Sequence, residues 1–366
     1  MRIAIVPDYF LPHIGGIQFW SFYVARYLGI RGHDVTIYTY KIPKRPLIER
    51  YRYFKVVRVG LMPVVRQYSY VSLLFSLGTG LPGELLRSKF DVYLMTYSPL
   101  VLNSFLKKRN VFGVWHGYYG LRYSLISKGH IKGIIRSFIE SLALRSNVLG
   151  FFTVSNFLKY ILANVCKEVN SSIVSKIFVT YGGVELKSID SVNVHSKRPW
   201  IVYLGRFVYQ KNPFHVLYSF AKVLPEIDKD VELFLIGNGP LLGKSKILAI
   251  KLGIQKRVHF LGRLPNIEKI RFLKKSMFLL YPSVYEAFPL TTLEALACHT
   301  PFVGYDIPAL KEQVFLTKGG VLAKRNSVED LADKIVLLCE DKNLRRRLAL
   351  NGRAKVEEMF TWEKVV

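Results

Sequence analysis

The feature that most constrains this chain is a cycle of short apolar runs and amphipathic segments that runs once, lapses and starts again. Arg2–Val6, Val35–Tyr40, Asp91–Met95, Val111–Trp115, Gly150–Val154 and Ile177–Thr180 read as buried strands. Ile17–Ile30 reads as a helix closed by Gly32. From Ser188 to Pro199 the chain is polar and loses its periodicity, as a linker does. Then Trp200–Leu204 predicts a strand, Asn212–Leu224 a helix, and Val231–Ile236 a strand ending in Gly237-Asn238-Gly239-Pro240. Val258–Phe260 and Phe278–Tyr281 predict shorter strands. Two α/β halves, each opening with a strand and a glycine loop, predict two Rossmann-like domains, residues 1–190 and 191–366, facing an interdomain cleft.

Size and polarity agree. The chain has 366 residues, half of them hydrophobic, enough for two folded cores. No apolar run reaches the roughly 18 residues of a transmembrane helix, and the apolar stretch after Met1 is too short for a signal peptide. Cys166, Cys298 and Cys339 are scattered, with no CxxC spacing, which argues against a disulfide framework or structural zinc and fits a cytoplasmic setting.

The formal net charge is +27: residues 1–195 hold 25 Lys and Arg against 9 Asp and Glu, and residues 196–366 hold 28 against 17. Such an excess attracts nucleic acid, an anionic membrane face or phosphorylated substrates, or serves solubility alone. Residues 61–89 add an apolar, aromatic stretch (Val64, Tyr68, Tyr70, Leu73, Phe75) downstream of a basic run, Lys41 to Arg58. That combination suits an interfacial membrane segment and equally a core helix beside a solvated loop.

Four motifs carry chemistry. In Pro282-Ser283-Val284-Tyr285-Glu286-Ala287-Phe288-Pro289-Leu290-Thr291-Thr292-Leu293-Glu294-Ala295, Glu286 lies in the loop after a strand. Pro289 suits the first position of a helix. Leu290 and Thr291 then present free N–H groups to a phosphate, and Glu294, one turn in, can accept from vicinal hydroxyls. In Gly205-Arg206-Phe207-Val208-Tyr209-Gln210-Lys211, Arg206 and Lys211 bracket a turn and can neutralise a diphosphate. Gly15 and Gly16, after the first strand, let a ligand approach the backbone; the neighbouring His13 reads as structural. His116 ends a core strand in Trp115-His116-Gly117 and points to the ligand side of a parallel sheet, or else is a satisfied core histidine.

Paired glutamates eight positions apart, after Pro-Ser and before Glu-Ala, resemble the retaining glycosyltransferases of the GT-B fold, of the group 1 and family 4 type. Gly32-His33-Asp34-Val35, Val154-Ser155-Asn156, Leu235-Ile236-Gly237, Glu312 and Phe360-Thr361-Trp362 are further matches in order. The resemblance implies transfer of a sugar from a nucleoside diphosphate to an acceptor hydroxyl, with the acceptor on residues 1–190 and the nucleotide sugar on 191–366. Glu286 and His116 would sit at the donor sugar. Arg206, Lys211, Gly15, Gly16, Leu290 and Thr291 would hold the diphosphate, and Glu294 and Gly237 the ribose and base. No Asp-x-Asp metal motif is read in the chain and the cationic pair can replace a divalent ion, so neither metal nor other cofactor is expected. The acceptor would be a saccharide or lipid-linked saccharide, met as a peripheral protein at the inner membrane face.

The chain departs from the family at Ala287 and Pro289, where glycines are usual, at His299, where a glycine caps the helix, and at Gly182-Gly183-Val184-Glu185. Val366 follows shortly after Phe360-Thr361-Trp362, where the family's last helix normally continues. The same scaffold also carries phosphorylases, which need a pyridoxal-phosphate lysine, and sugar-nucleotide epimerases. A basic nucleic-acid-binding protein is the alternative from another class, but no helix-turn-helix, RRM or KH pattern is found and no nucleic acid partner is expected.

Overall fold

The structure, a computed structural model, describes residues 1–8, 10–12, 15–60, 81–106, 108–117, 140–169 and 171–366. His13 and most of the apolar stretch 61–89 therefore lie outside the described residues; Leu81–Arg87, at its end, is a helix. The described chain forms two compact units, Met1–Tyr181 with Val366, and Gly182–Val365.

The first unit is an eight-stranded sheet, ordered β3-β4-β2-β1-β5-β6-β7-β8. Its strands are β1 (Arg2–Val6), β2 (Asp34–Tyr40), β3 (Ile48–Arg50), β4 (Lys55–Val59), β5 (Val92–Met95), β6 (Val111–Trp115), β7 (Gly150–Thr153) and β8 (Ile177–Val179). All pairs are parallel except β3 with β4. Every residue of β2 after Asp34 is buried, which is why the run is continuously apolar or hydroxylated rather than alternating. Ala4, Val6, Tyr38, Tyr93, Met95, Trp115 and Phe151 share its core.

The β3–β4 hairpin changes the reading of the basic run. Arg58 is buried, pairs with Glu49 at 2.8 Å and donates to the Leu11 carbonyl at 2.9 Å. This cation braces the sheet edge and is not available to a membrane or a polyanion.

The second unit is a six-stranded, wholly parallel sheet ordered β11-β10-β9-β12-β13-β14. Here β9 is Trp200–Leu204, β10 Glu232–Ile236, β11 Val258–Gly262, β12 Phe278–Tyr281, β13 Phe302–Tyr305 and β14 Gly320–Ala323. The chain leaves β9 toward β10 on one side and returns to β12 on the other, so β9 and β12 flank the topological switch point, where open α/β sheets bind ligands at the carboxyl ends of their strands.

The segment Gly182–Asp190 belongs to this second unit because the C-terminal end of the chain holds it. Val184 N–H donates to Phe360 O at 2.8 Å and Arg353 grips Asp190 through two 2.9 Å bonds. The polar stretch from Ser188 therefore lies inside the second unit, with the division at Tyr181–Gly182.

Candidate functional site at the switch point of the second sheet

The loop after β9 carries Arg206 and Lys211. Phe207 is fully buried and anchors it: its N–H donates to Asn238 O and its carbonyl accepts from Leu241 N–H, both at 3.0 Å. That anchor leaves Arg206 exposed, with no ion pair among the described residues. A short 3-10 turn, Tyr209–Lys211, follows, and Asn212 takes a left-handed conformation (φ 52) that asparagine tolerates. The helix Pro213–Val223 then starts with proline at its first position.

The loop after β12 is sewn to the first. Val284 N–H donates to Gln210 O at 2.9 Å and Gln210 Nε2 donates to Tyr285 O at 2.8 Å. These bonds place Glu286, only 9% exposed, against Lys211. Its Oε1 accepts from Lys211 Nζ, from the Tyr281 hydroxyl at 3.0 Å and from the Ser283 hydroxyl at 2.5 Å. Lys211 Nζ also donates to Tyr281 Oη. Burial, with the Glu286 carboxylate beside it, holds the Tyr281 phenol well above its ordinary pKa and hence protonated. Tyr203, at the same level of β9, is likewise raised by burial and donates to Arg206 O at 2.9 Å.

The helix Leu290–Ala297 begins one residue later than proline spacing suggests: Pro289 is its N-cap, with an extended ψ of 119. Pro289 O accepts from Thr292 Oγ1 and from Gln313 Nε2, each at 2.9 Å, which fixes the helix start. The first N–H groups of a helix have no partner within it, so Leu290 and Thr291 keep the donors expected of them. His299 after this helix has φ 54, the left-handed cap in place of glycine.

Glu294 stands apart from the Glu286 network, paired with Lys269 at 2.8 Å. Gly237 has φ 139, and a side chain there would collide with the Gly205 carbonyl. Its glycine is required by packing of the two strand-end loops, whatever it does for a nucleotide.

In the first unit, Gly15 is the N-cap of the helix Gly16–Ile30 and is extended (φ −178), a conformation open to any residue. A side chain on Gly16 would meet no described atom within 4 Å. His116 follows β6 with its ring edge-on to Trp20, centroids 4.9 Å apart. Its Nε2 is enclosed and has no hydrogen-bond partner among the described residues. Burial drives its pKa down to about 3, leaving it neutral.

The fold thus brings Lys211 and Glu286 into contact, keeps Glu294 on a separate ion pair and puts His116, Gly15 and Gly16 in the other unit. Sequence reasoning missed Tyr281, Ser283, Gln210 and Lys269. The Pro-Ser pair and a tyrosine closing an apolar strand were the available signals. One Asp-x-Asp triplet does occur, Asp228-Lys229-Asp230. It forms a turn, with Asp230 N–H donating to Asp228 Oδ1 at 2.9 Å, just before β10 and so at the amino ends of the strands, away from the switch-point site. Among the described residues no three His, Cys, Asp or Glu side chains cluster as a metal site. No described helix is long and apolar enough to cross a membrane.

Comparison with known proteins agrees with this architecture. Residues 14–188 match the glycosyltransferase family 4 model and residues 185–355 the glycosyl transferases group 1 model. The alpha-monoglucosyldiacylglycerol synthase of Streptococcus pneumoniae is 25% identical, over 86% of this chain and 73% of its own. Sucrose-phosphate synthase from Thermosynechococcus elongatus superposes with a TM-score of 0.83 at 20% identity, covering 100% of this chain and 96% of that one. Anabaena HepE, solved with UDP and glucose, superposes at 0.71 and 16% identity, covering 100% and 97%. With two parallel-sheet domains and consecutive family 4 and group 1 regions, the chain belongs to the glycosyltransferases of the GT-B fold.

Proposed function

We propose that this glycosyltransferase moves a sugar from a nucleoside diphosphate to the hydroxyl of a lipid-linked saccharide or glycolipid, with retention at the anomeric carbon. The observation that carries the reading is the meeting of Lys211 and Glu286 at the carboxyl ends of β9 and β12, beside the start of the helix Leu290–Ala297. A cation, a carboxylate and free helix N–H groups at one switch point suit a diphosphate joined to a sugar.

Arg206, Lys211, Leu290 and Thr291 bind the diphosphate; Glu294 takes the ribose hydroxyls and Gly237 lies under the nucleotide. Glu286 positions the sugar. The bond from anomeric carbon to β-phosphate oxygen breaks, and the acceptor oxygen bonds to the same face. The acceptor proton passes to the departing phosphate, whose growing charge Arg206 and Lys211 stabilise. The cations serve in place of a divalent ion, so turnover should survive EDTA. A lipid acceptor is supported by the pneumococcal relative, by name a synthase of a glucosylated diacylglycerol, and by the net charge of +27, which favours an anionic membrane face.

The test is a thermal-shift panel of UDP, GDP and ADP on wild type, Glu294→Ala and Arg206→Ala. One nucleotide should raise the melting temperature of wild type and lose that effect in both variants. Folded wild type that responds to none of the three would refute the donor site.

A further inference from the structure

Glu286 and Lys211 are assigned above to two different parts of one donor, yet in this structure they hold each other. The Lys211 ammonium has three donors, of which Glu286 and Tyr281 take two, so a diphosphate that draws Lys211 to itself loosens its hold on Glu286, buried in the loop after β12. Removing one partner of a buried ion pair ordinarily leaves a costly unpaired charge. Here the carboxylate has other support. Tyr281 and Ser283 donate to the same oxygen, Oε1, at 3.0 and 2.5 Å, and no described residue bonds Oε2. Tyr281 is 1% exposed, at the end of a strand buried throughout, so its hydroxyl cannot swing away. Ser283 is 1% exposed and also lies 2.9 Å from Gln210 O.

We propose that Tyr281, assisted by Ser283, is a positioning residue that keeps the Glu286 carboxylate in place while Lys211 passes from Glu286 to the donor diphosphate. Tyr281 lowers the cost of that exchange by donating to the charge Lys211 leaves behind. The proposal rests on the donor-site reading, and its test separates the two.

The experiment is calorimetric titration of whichever of UDP, GDP and ADP stabilises wild type most, into wild type, Tyr281→Phe, Glu286→Gln, the double variant and Lys211→Ala. Circular dichroism checks that each is folded. Tyr281→Phe removes one hydroxyl from a buried ring and should weaken nucleotide binding about tenfold, the order of one hydrogen bond to a charged group. Glu286→Gln frees Lys211 and should tighten binding. In the Glu286→Gln background Tyr281→Phe should change affinity less than about twofold, because no charge remains to be supported. Equal effects of Tyr281→Phe in both backgrounds, or none in either, would overturn the exchange role while leaving the donor site intact. Lys211→Ala binding as tightly as wild type would overturn the donor-site reading, and this role with it.

Discussion

The two sheets treat the polar groups near their carboxyl ends in opposite ways. In the second unit, Glu286 Oε1 collects three hydrogen bonds and Gln210 ties the two strand-end loops together. In the first unit, Thr39 Oγ1, Trp115 Nε1, His116 Nε2 and Trp20 Nε1 are enclosed with no partner among the described residues. A satisfied network is rigid before any ligand arrives, whereas enclosed groups without partners cost stability until something bonds them. The switch-point network of the second unit is thus organised in advance, whereas these groups of the first unit have no partner among the described residues.

The comparison can be broken at its strongest point. Lys211→Met leaves Glu286 buried with two neutral donors and no cation; because Tyr281 and Ser283 still donate to it, the ligand-free protein should lose about 1–3 kcal/mol, less than the roughly 3–5 kcal/mol of an unsupported buried charge. Urea unfolding followed by tyrosine and tryptophan fluorescence measures it; a loss below about 1 kcal/mol would mean the pair is solvated and the network is not preorganised.

Acid is the second lever, and it acts on the first unit. His116 falls from 6.5 to about 3 on burial, so the unfolded chain binds a proton that the native one refuses. Stability should be independent of this group above pH 6.5 and decline as pH falls from there toward about 3. His116→Gln should flatten that part of the profile, recorded as melting temperature against pH. An unchanged slope would place the imidazole in contact with water.

The smallest effect has the opposite sign. Thr36 and Thr39 are fully buried on β2, and their hydroxyls have no partner among the described residues. Thr36→Val and Thr39→Val should be neutral or stabilising by up to about 1 kcal/mol, since replacing an unsatisfied polar group with an apolar one removes a penalty. Destabilisation by either would reveal an ordered water on that hydroxyl.

Much of the architecture was legible. Arg2–Val6, Val111–Trp115, Trp200–Leu204 and Phe278–Tyr281 are strands as their apolar runs predict. Two kinds of strand were not legible. Phe302–Tyr305 and Gly320–Ala323 each hold a glycine in a short apolar run, a weaker signal than the glycine-free Phe278–Tyr281. Lys55–Val59 reads as part of a basic run because the partner of Arg58, Glu49, lies across a hairpin that charge counting does not see. Among the candidate site residues, strand-end glycines and the Pro-Ser-to-Glu-Ala motif identified Glu286 and Arg206 as neighbours of strand ends, but not what each would touch.

By itself the sequence determined the order of strands and helices, the loops that close them and the residue types at the ends of β9 and β12. Those follow from local spacing: apolar runs, proline at a helix start, glycine where φ is positive. Only the tertiary structure decided that Lys211 meets Glu286, 75 residues away, that Tyr281 bonds to both and that Lys269 takes Glu294. Strand adjacency at a switch point is set by how helices cover both faces of the whole sheet, and no local stretch of sequence encodes that packing.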